Sequence, residues 1–488
     1  MNLKVLEQET FELLLNTGRF KIDDCGPLHF PINSFEIQRD DKQRLVLTTR
    51  SDGKSRKNLD QYPELPAGTV HTNTASITLV SPDMLVTAKG VRSLGTNRRS
   101  NPLTNGYETT EKAEINSLEF IPQDLEEVHQ LIEWVDNIDT ELYIWPHNLE
   151  ENIKTISTRT LGKDDFTISQ YAEESSSNVR GCLSLNIAGT EIFIAPLHKQ
   201  DKTRPSGRGF IIYKKFASEE LRRKIRECLS YAFGLPLLYL GYTLLSDKSE
   251  FIGFKAVNPN IIDKNGHSLM AIPPVPVSNN HANLIDSAIF SKTVNAIFTH
   301  YDELNFQHIS WIYWHAVYSP IHTKPVQLGA GIEALMNAYR KLEKPQYVTK
   351  LLDDKNSKFL KAEFLKILEA MEIPEKEKNV LRNKAAALNN PPQTILNERF
   401  FECLALEMSD KEKGAWNRRN DAAHGNRTKN GDSVELIRDV KLLKNIFHRI
   451  VISMTSASTQ YIDVYTPRFP IRQLNETVDS NNRKFFDR

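Results

Sequence analysis

Short apolar runs, several with a two-residue alternation, dominate the first half of the chain and predict β-strands. Four segments carry this signal: residues 44–50, 182–195, 209–216 and 251–257. The second segment divides at Ala188-Gly189, a dipeptide suited to the tight turn of a β-hairpin. We therefore expect the first half of the chain to be rich in strands.

Two other segments of this half repeat their apolar residues at helical spacing. Residues 122–138 and 218–234 each predict a helix, and Gly234 is a residue that can end the second one. Strands interrupted by helices are typical of the α+β class. We therefore predict an α+β domain over residues 1–256.

The pattern changes after a stretch rich in Pro, Asn and Gly, residues 257–282, which we interpret as a linker. Nearly continuous helical periodicity follows it, and one predicted helix has Pro325 at its first position. We predict an all-α bundle over residues 283–459. The C-terminal tail, residues 460–488, receives no structural assignment.

The end of the predicted bundle contains a clear helix signal. Ser409-x-x-Glu412 forms a capping box, which predicts a helix that begins at Asp410. Its predicted end is the junction of His424 and Gly425, because glycine is a natural residue after a helix C-terminus. A last long helix is expected over residues 433–454.

Composition narrows the classes of function. Lys+Arg and Asp+Glu both total 62, so a nucleic-acid site must be a local feature. The four cysteines include no C-x-x-C pair, which argues against a zinc ribbon and a disulfide framework. The first residues lack the apolar core of a secretory signal, and no apolar stretch is long enough for a membrane span. We expect a cytoplasmic protein without a cofactor and without a membrane partner.

The segment RRNDAAHGNR, residues 418–427, carries the most specific chemistry. Asn420 and His424 are four residues apart, so on a regular helix they share a face and the amide can orient the imidazole. Arg419 projects about 100° away from Asn420, but its long side chain can reach the same helix end. We expect Arg419 to be exposed there, and the helix macrodipole to favour the cationic form of His424.

These side chains suit cleavage of RNA without a metal ion. A histidine can transfer the proton of the ribose 2′-hydroxyl or of the leaving oxygen, and an arginine matches the developing charge of the phosphate. Arg418, Arg427 and Lys429 flank the cluster and are expected to hold neighbouring phosphates. The alternative is that these are solvated residues that complement the negative end of a helix.

Arg419-Asn420-x-x-x-His424-Gly425 resembles the R-x-x-x-x-H motif of HEPN domains, with the polar residue that they favour after the arginine. The position of the motif before the last long helix, and the earlier segment QLGAGIEALMNAY, are most similar to the Apea-like HEPN family of bacterial anti-phage proteins. The resemblance covers residues 283–459; that of residues 1–250 to the family's N-terminal domain is vaguer.

The resemblance implies a metal-independent endoribonuclease in which His424 is the general acid/base, Arg419 binds the scissile phosphate and Asn420 orients them. It implies a homodimer, or a higher even oligomer, with two motifs facing each other. It also implies abortive infection: a phage protein or other trigger releases cleavage of host RNA, with tRNA as one candidate. A catalytically silent HEPN scaffold that binds nucleic acid or a partner protein is the alternative.

Other candidate sites carry weaker signals. His300, His308, His315 and His322 recur at near-heptad spacing, but residues seven apart lie about 10 Å apart along a helix, too far to share a metal ion. The aromatic segment 311–318 suits base stacking or, more ordinarily, a core or dimer interface.

A basic loop within residues 198–209 is a candidate contact for RNA or a phage component, although a mobile solvated loop is the simpler interpretation. Its cationic residues are Lys199, Lys202, Arg204 and Arg208. Arg98 and Arg99 have the same two interpretations. Glu333 is either a support for the motif or an ordinary surface acid of the bundle.

Overall fold

The computed structural model describes residues 9–56, 68, 75–101, 106–122, 128–138, 143–151, 154–161, 166–173, 178–197, 207–259, 272–278, 284–344, 347–423 and 433–479. The chain divides into two compact units, one made of residues 1–271 and 277–294 and the other of residues 272–276 and 295–488. Strands dominate the first unit and helices the second, so the protein combines an antiparallel sheet region with a helical C-terminal part.

The strands described in the first unit run from β1 to β17. They are β1 Lys21–Asp24, β2 His29–Arg39, β3 Leu45–Arg56, β4 Ser76–Val80, β5 Leu85–Lys89, β6 Arg92–Asn101, β7 Gly106–Ile115, β8 Ser117–Phe120, β9 Gln130–Asp136, β10 His147–Glu151, β11 Lys154–Leu161, β12 Phe166–Glu173, β13 Asn178–Ile187, β14 Thr190–Pro196, β15 Gly209–Tyr213, β16 Leu238–Leu245 and β17 Phe251–Val257. Two helices accompany them, α1 Thr10–Leu15 and α2 Glu219–Phe233.

Most of these strands join one eleven-stranded sheet in the order β1-β4-β5-β8-β17-β16-β9-β15-β14-β13-β10. A four-stranded sheet has the order β2-β3-β7-β6, and β11 pairs with β12. Neighbouring strands pair in antiparallel fashion throughout the described ladders. The predicted strands near 44–50, 182–195, 209–216 and 251–257 are confirmed.

Local turn chemistry explains two of the confirmed features. β13 and β14 form the predicted hairpin, with Ala188 and Gly189 both at positive φ in the turn. Helix α2 begins after Ser218, whose side chain accepts the backbone N–H of Leu221, and ends at Gly234 in the left-handed conformation.

The helix predicted over residues 122–138 is wrong where the structure describes this segment, because residues 130–136 form the central strand β9. Its apolar residues face both sides of the large sheet, so both faces of the strand are buried. Glu133, the acidic residue within this strand, is fully buried and pairs with Arg222 and Arg226 of α2, at 3.0 and 2.6 Å.

Eight helices and two short strands follow in chain order among the residues that the structure describes. They are α3 Ser287–Thr299, α4 Phe306–Tyr318, α5 Lys324–Lys341, α6 Asp354–Ala370, α7 Glu375–Ala386, α8 Gln393–Cys403, α9 Asp410–Ala423, α10 Ser433–Thr455, β18 Gln460–Ile462 and β19 Ile471–Gln473. Pro325 lies in the first turn of α5, as the sequence predicts. Within the described residues, no helix is long and apolar enough to cross a membrane.

Helices α4, α5, α9 and α10 pack together and position Arg418 and Arg419 of the motif. The close approach of α5 to α10 depends on Gly331, because a Cβ atom there would lie 3.0 Å from the ring of Phe447 and 3.3 Å from Ile312. The segment after α10, described up to Asp479, packs against that helix. In it Asp463 binds Arg472 at 2.8 Å and Asn445 of α10 at 2.6 Å, and all three side chains are buried.

Candidate active site

Arg419 lies near the C-terminal end of α9 and points toward α5. Its Nη2 donates to Oε1 of Glu333 at 2.6 Å, and its Nη1 donates to the backbone oxygen of Trp416 at 2.6 Å. The guanidinium also lies over the Trp416 ring, 3.3 Å from the ring centroid. Two helices and one aromatic ring therefore fix the direction of this side chain.

The space for Arg419 is provided by a glycine on α5. A Cβ atom at Gly329 would lie 2.6 Å from Cδ of Arg419, closer than side-chain carbons normally approach. Gly329 and Glu333 are four residues apart, so they lie on one face of α5 and bracket the arginine. The segment QLGAGIEALMNAY thus supplies a gap for the arginine stem and a carboxylate for its charge.

The expectation that Arg419 is exposed is wrong. Its exposed fraction is 8%, whereas Glu333 is 48% exposed, so the ion pair has one buried and one accessible partner. The physical reason is that α9 packs on α5, and the arginine stem fills the gap left by Gly329. Glu333 is accordingly not an isolated surface acid, because its carboxylate holds Arg419.

Arg418 is committed to a different helix. Its Nε donates to Oδ2 of Asp439 at 2.8 Å and its Nη2 to Oδ1 of Asp439 at 2.5 Å, with a further contact to Glu435 at 3.2 Å. Both carboxylates belong to α10. The interpretation as solvated residues at a helix end is therefore wrong for the buried Arg419, whereas Arg418 is 45% exposed and also ties α9 to α10.

The remaining motif residues cannot be placed by side-chain geometry. The backbone of Asn420 lies within α9, but its side chain is outside what the structure describes, as are His424, Arg427 and Lys429 entirely. The predicted stacking of Asn420 on His424 and the predicted phosphate contacts of Arg427 and Lys429 stay predictions.

The start of α9 is fixed by the predicted capping box. Oε2 of Glu412 accepts the backbone N–H of Ser409 at 2.8 Å, and Oγ of Ser409 accepts that of Glu412 at 3.3 Å. The other carboxylate oxygen of Glu412 binds the buried Arg449 of α10 at 2.9 Å. Glu412 thereby determines both where α9 begins and how it docks on α10.

A second group of titratable side chains lies between α4, α5 and α10, and sequence reasoning did not identify it. The hydroxyl of Tyr313 lies 2.9 Å from Nε2 of His448, and both residues are buried. Desolvation, together with the charge of Lys444, holds the pKa of His448 well below its usual value. Desolvation and the nearby Lys324 lower the pKa of Lys444 to about 8. The spacing of Lys444 and His448, four residues apart on an apolar helix, was the available signal.

The aromatic segment 311–318 and the recurring histidines are the other candidate sites that the sequence suggested in the second unit. Trp311 of α4 is 57% exposed and lies against the rings of His308 and His315, whereas Tyr313 and Trp314 are buried, so the aromatic segment mixes surface and core positions. Within the described part of the chain, no group of three or more His, Cys, Asp or Glu side chains could hold a metal ion.

The basic candidates of the first unit also differ from one another. Arg208 is buried and donates to Gln43 and Glu12, so it is not part of a solvated loop, while Lys199, Lys202 and Arg204 lie outside the described residues. Arg98 and Arg99 are exposed on β6, and Arg98 approaches Nε2 of His29 at 3.4 Å.

Comparison with known proteins adds no relative: no protein-family model matches the chain, and no curated protein or solved structure is significantly similar to it. Function must therefore be argued from the site itself. Arg419 uses two of its five N–H donors in hydrogen bonds, so its guanidinium has donors left for an anion.

Proposed function

We propose that this protein is a metal-independent endoribonuclease of the HEPN type that acts in anti-phage defence. The observation that carries the proposal is the anchored guanidinium of Arg419, five residues before His424 in the R-x-x-x-x-H pattern. A catalytic cation works best when its surroundings hold it in place before the substrate arrives. Trp416, Gly329 and Glu333 provide that support.

In the proposed reaction His424 moves the proton, and the 2′-hydroxyl of the RNA attacks the adjacent phosphate. The bond from phosphorus to the 5′-oxygen breaks, which leaves a cyclic phosphate on one product and a hydroxyl on the other. Arg419 stabilises the charge on the phosphate, and Asn420 orients His424. The substrate phosphate must compete with Glu333 for the guanidinium, which gives the resting protein a restrained site. The active unit is a homodimer or a higher even oligomer, with tRNA as one candidate substrate.

The first unit, with its large antiparallel sheet, is proposed to sense infection and to release this activity. A phage protein is one candidate trigger, and abortive infection is the proposed outcome. We propose a cytoplasmic location for the protein.

The burial of Arg419 favours a second candidate, a catalytically silent HEPN scaffold. An arginine that is 8% exposed and paired with Glu333 is also what a purely structural tie between α9 and α5 requires. In that case the motif stabilises the helices, and the protein binds nucleic acid or a partner protein without cutting.

Incubation of purified wild type and His424→Ala with total tRNA in EDTA separates the two candidates. For the nuclease we expect RNA fragments with cyclic phosphate ends from wild type, and a loss of at least about 100-fold in rate for His424→Ala. His322→Ala, which removes an exposed histidine before α5, is the matched control and should cleave like wild type. Equal RNA binding by wild type and His424→Ala without cleavage supports the scaffold. If neither protein binds nor cleaves RNA, the nuclease and the nucleic-acid scaffold are both wrong, and the scaffold for a partner protein remains.

A further inference from the structure

The hairpin of α6 and α7 exposes more apolar side chain than a solvated helix pair normally does. Phe359 is 68% exposed, Ile367 is 65% exposed, and Leu360 and Met371 are each 45% exposed. The two helices pack on each other through the buried Leu368 of α6 and Ala385 of α7. The apolar face of α6 is therefore a second surface, separate from the one that holds the hairpin together.

Leu360, Ile367 and Met371 form a stripe along α6 together with the partly buried Phe364, whereas Phe359 lies beside it. Leu360, Phe364, Ile367 and Met371 are separated by four, three and four residues, a spacing that places them on one helix face. We call these four residues the α6 stripe. It spans about 16 Å at 1.5 Å per residue, or three turns of helix. Amphipathic helices normally bury such a stripe against another element.

The order of spacings in the α6 stripe reads the same in both directions. If a second copy of α6 lies antiparallel, Leu360 meets Met371 of the partner subunit, and Phe364 meets Ile367 of the partner subunit. A two-fold axis requires this self-complementarity, because one surface patch must fit itself. The pattern is therefore compatible with a second copy of the chain packed in the antiparallel direction.

The charges beside the stripe favour the same antiparallel arrangement. Lys355, Lys358 and Lys361 lie in the first half of α6, and Glu372 follows its end. Among the described residues, none of these four side chains makes an ion pair within the chain. An antiparallel partner brings Lys361 close to Glu372 of the partner subunit, whereas a parallel partner brings like charges together.

The area of the α6 stripe is also large enough for a dimer interface. Two such faces with their flanking side chains cover on the order of 1,000 Å², about the size at which specific protein interfaces begin. We propose that the α6 stripe is a homodimer interface, formed by two antiparallel copies of α6 around a two-fold axis. This proposal does not depend on the nuclease, because α6 lies outside the 418–427 motif.

Sedimentation velocity and light scattering of the full-length chain test the interface. Wild type should be a dimer, or a larger even assembly, at about 10 μM, and Ile367→Glu should halve that mass because it buries two carboxylates at the interface. Leu85→Glu is the matched control, since it places the same charge on an exposed leucine of β5 and should keep the wild-type mass.

Charge reversal provides a second test that does not touch the apolar side chains. Lys361→Glu should weaken the dimer about 5- to 10-fold, and Lys361→Glu combined with Glu372→Lys should restore it. His424→Ala should leave the assembly intact, so a failed nuclease assay does not count against the interface. A monomeric wild type, which would point to a different partner for the stripe, overturns the proposal. So does an Ile367→Glu variant with unchanged mass.

Discussion

Adjacent residues in the motif have different structural roles. Arg418 and Arg419 differ by about 100° around α9, so the first reaches α10 and the second reaches α5. The sequence predicts that both arginines lie near the end of a helix. It does not predict that each forms an ion pair with a neighbouring helix. The partner carboxylates lie 86 residues before Arg419 and 21 residues after Arg418, and only the packing of helices brings them together.

Removal of Arg419 should therefore cost stability as well as any activity. We expect Arg419→Ala to lower the free energy of unfolding by about 1–3 kcal/mol, because it removes two hydrogen bonds and the contact with Trp416. Lys413→Ala, an exposed position on the same helix, should change it by less than about 0.5 kcal/mol. Denaturant titration measures both. If the two variants prove equally stable, the structural role assigned to Arg419 is incorrect.

Gly329 gives a more selective probe of the same arginine. Gly329→Ala should lower the stability by about 1–3 kcal/mol, since the gain in helix propensity is outweighed by the 2.6 Å approach of its Cβ to Arg419. In Gly414→Ala the new Cβ would lie 3.1 Å from the guanidinium end of Arg418, a contact that a shift of a few tenths of an ångström in this long side chain relieves, so this control should be neutral or slightly stabilising. Thermal unfolding distinguishes them, and a stabilised Gly329→Ala would contradict the packing.

At the scale of elements, the ends of helices could be predicted from the sequence more readily than the burial of charged side chains. Capping residues and Gly234 act through hydrogen bonds within a few residues, so their effect is visible in the sequence. Strand β9 was mistaken for a helix because Glu133 is neutralised by arginines of α2, about 90 residues away. The orientation of Arg419 and the pair of Tyr313 with His448 were unpredictable for the same reason.

The buried His448 on α10 predicts a pH dependence of stability. Its pKa is well below that of the unfolded chain, near 6.5, so only the unfolded state binds this proton as the pH falls from 6.5. Stability attributable to His448 is thus fully present well above pH 6.5 and is lost progressively, by about 1 kcal/mol per pH unit, as the pH falls below 6.5. Tyr313, Lys324 and Lys444 are the titratable groups that face this region.

Chemical unfolding at pH 7.5 and pH 5.5 measures this effect. Wild type should lose about 1 kcal/mol more over that range than His448→Gln, which has no group to protonate. His322→Gln, at an exposed position, should behave like wild type. An identical loss in His448→Gln and wild type would mean that the pKa of His448 is the same in the folded and the unfolded protein, which contradicts its desolvation.

At the scale of the whole molecule, the segment after α10 completes the second unit. The sequence allowed no assignment for residues 460–488, yet Asp463 and Arg472 are buried and bound to each other as well as to α10 and its surroundings. A polar segment with prolines resembles a disordered tail in composition. Its order depends on charges that find partners only in the folded protein.

Arg472→Leu should destabilise the protein by about 3–5 kcal/mol, because it leaves the carboxylate of Asp463 buried without its ion-pair partner. Arg468→Leu alters an exposed arginine of the same segment and should cost less than about 1 kcal/mol. Urea denaturation curves compare the two. Equal midpoints would show that the segment does not contribute to the cooperative core.

The second unit also includes a short stretch of chain that precedes its main part in the sequence. Residues 272–276 belong to it, while residues 277–294 return to the first unit. Pro274 accepts a hydrogen bond from the backbone of Ile462, and Val275 packs with Ile452, Ala457 and Tyr461. The polypeptide therefore passes between the two units three times, and no single cleavage can liberate either of them whole. A fragment that begins at residue 283 would lack Val275, which packs with Tyr461. This apolar cluster would then be partly exposed, and the fragment should be poorly soluble.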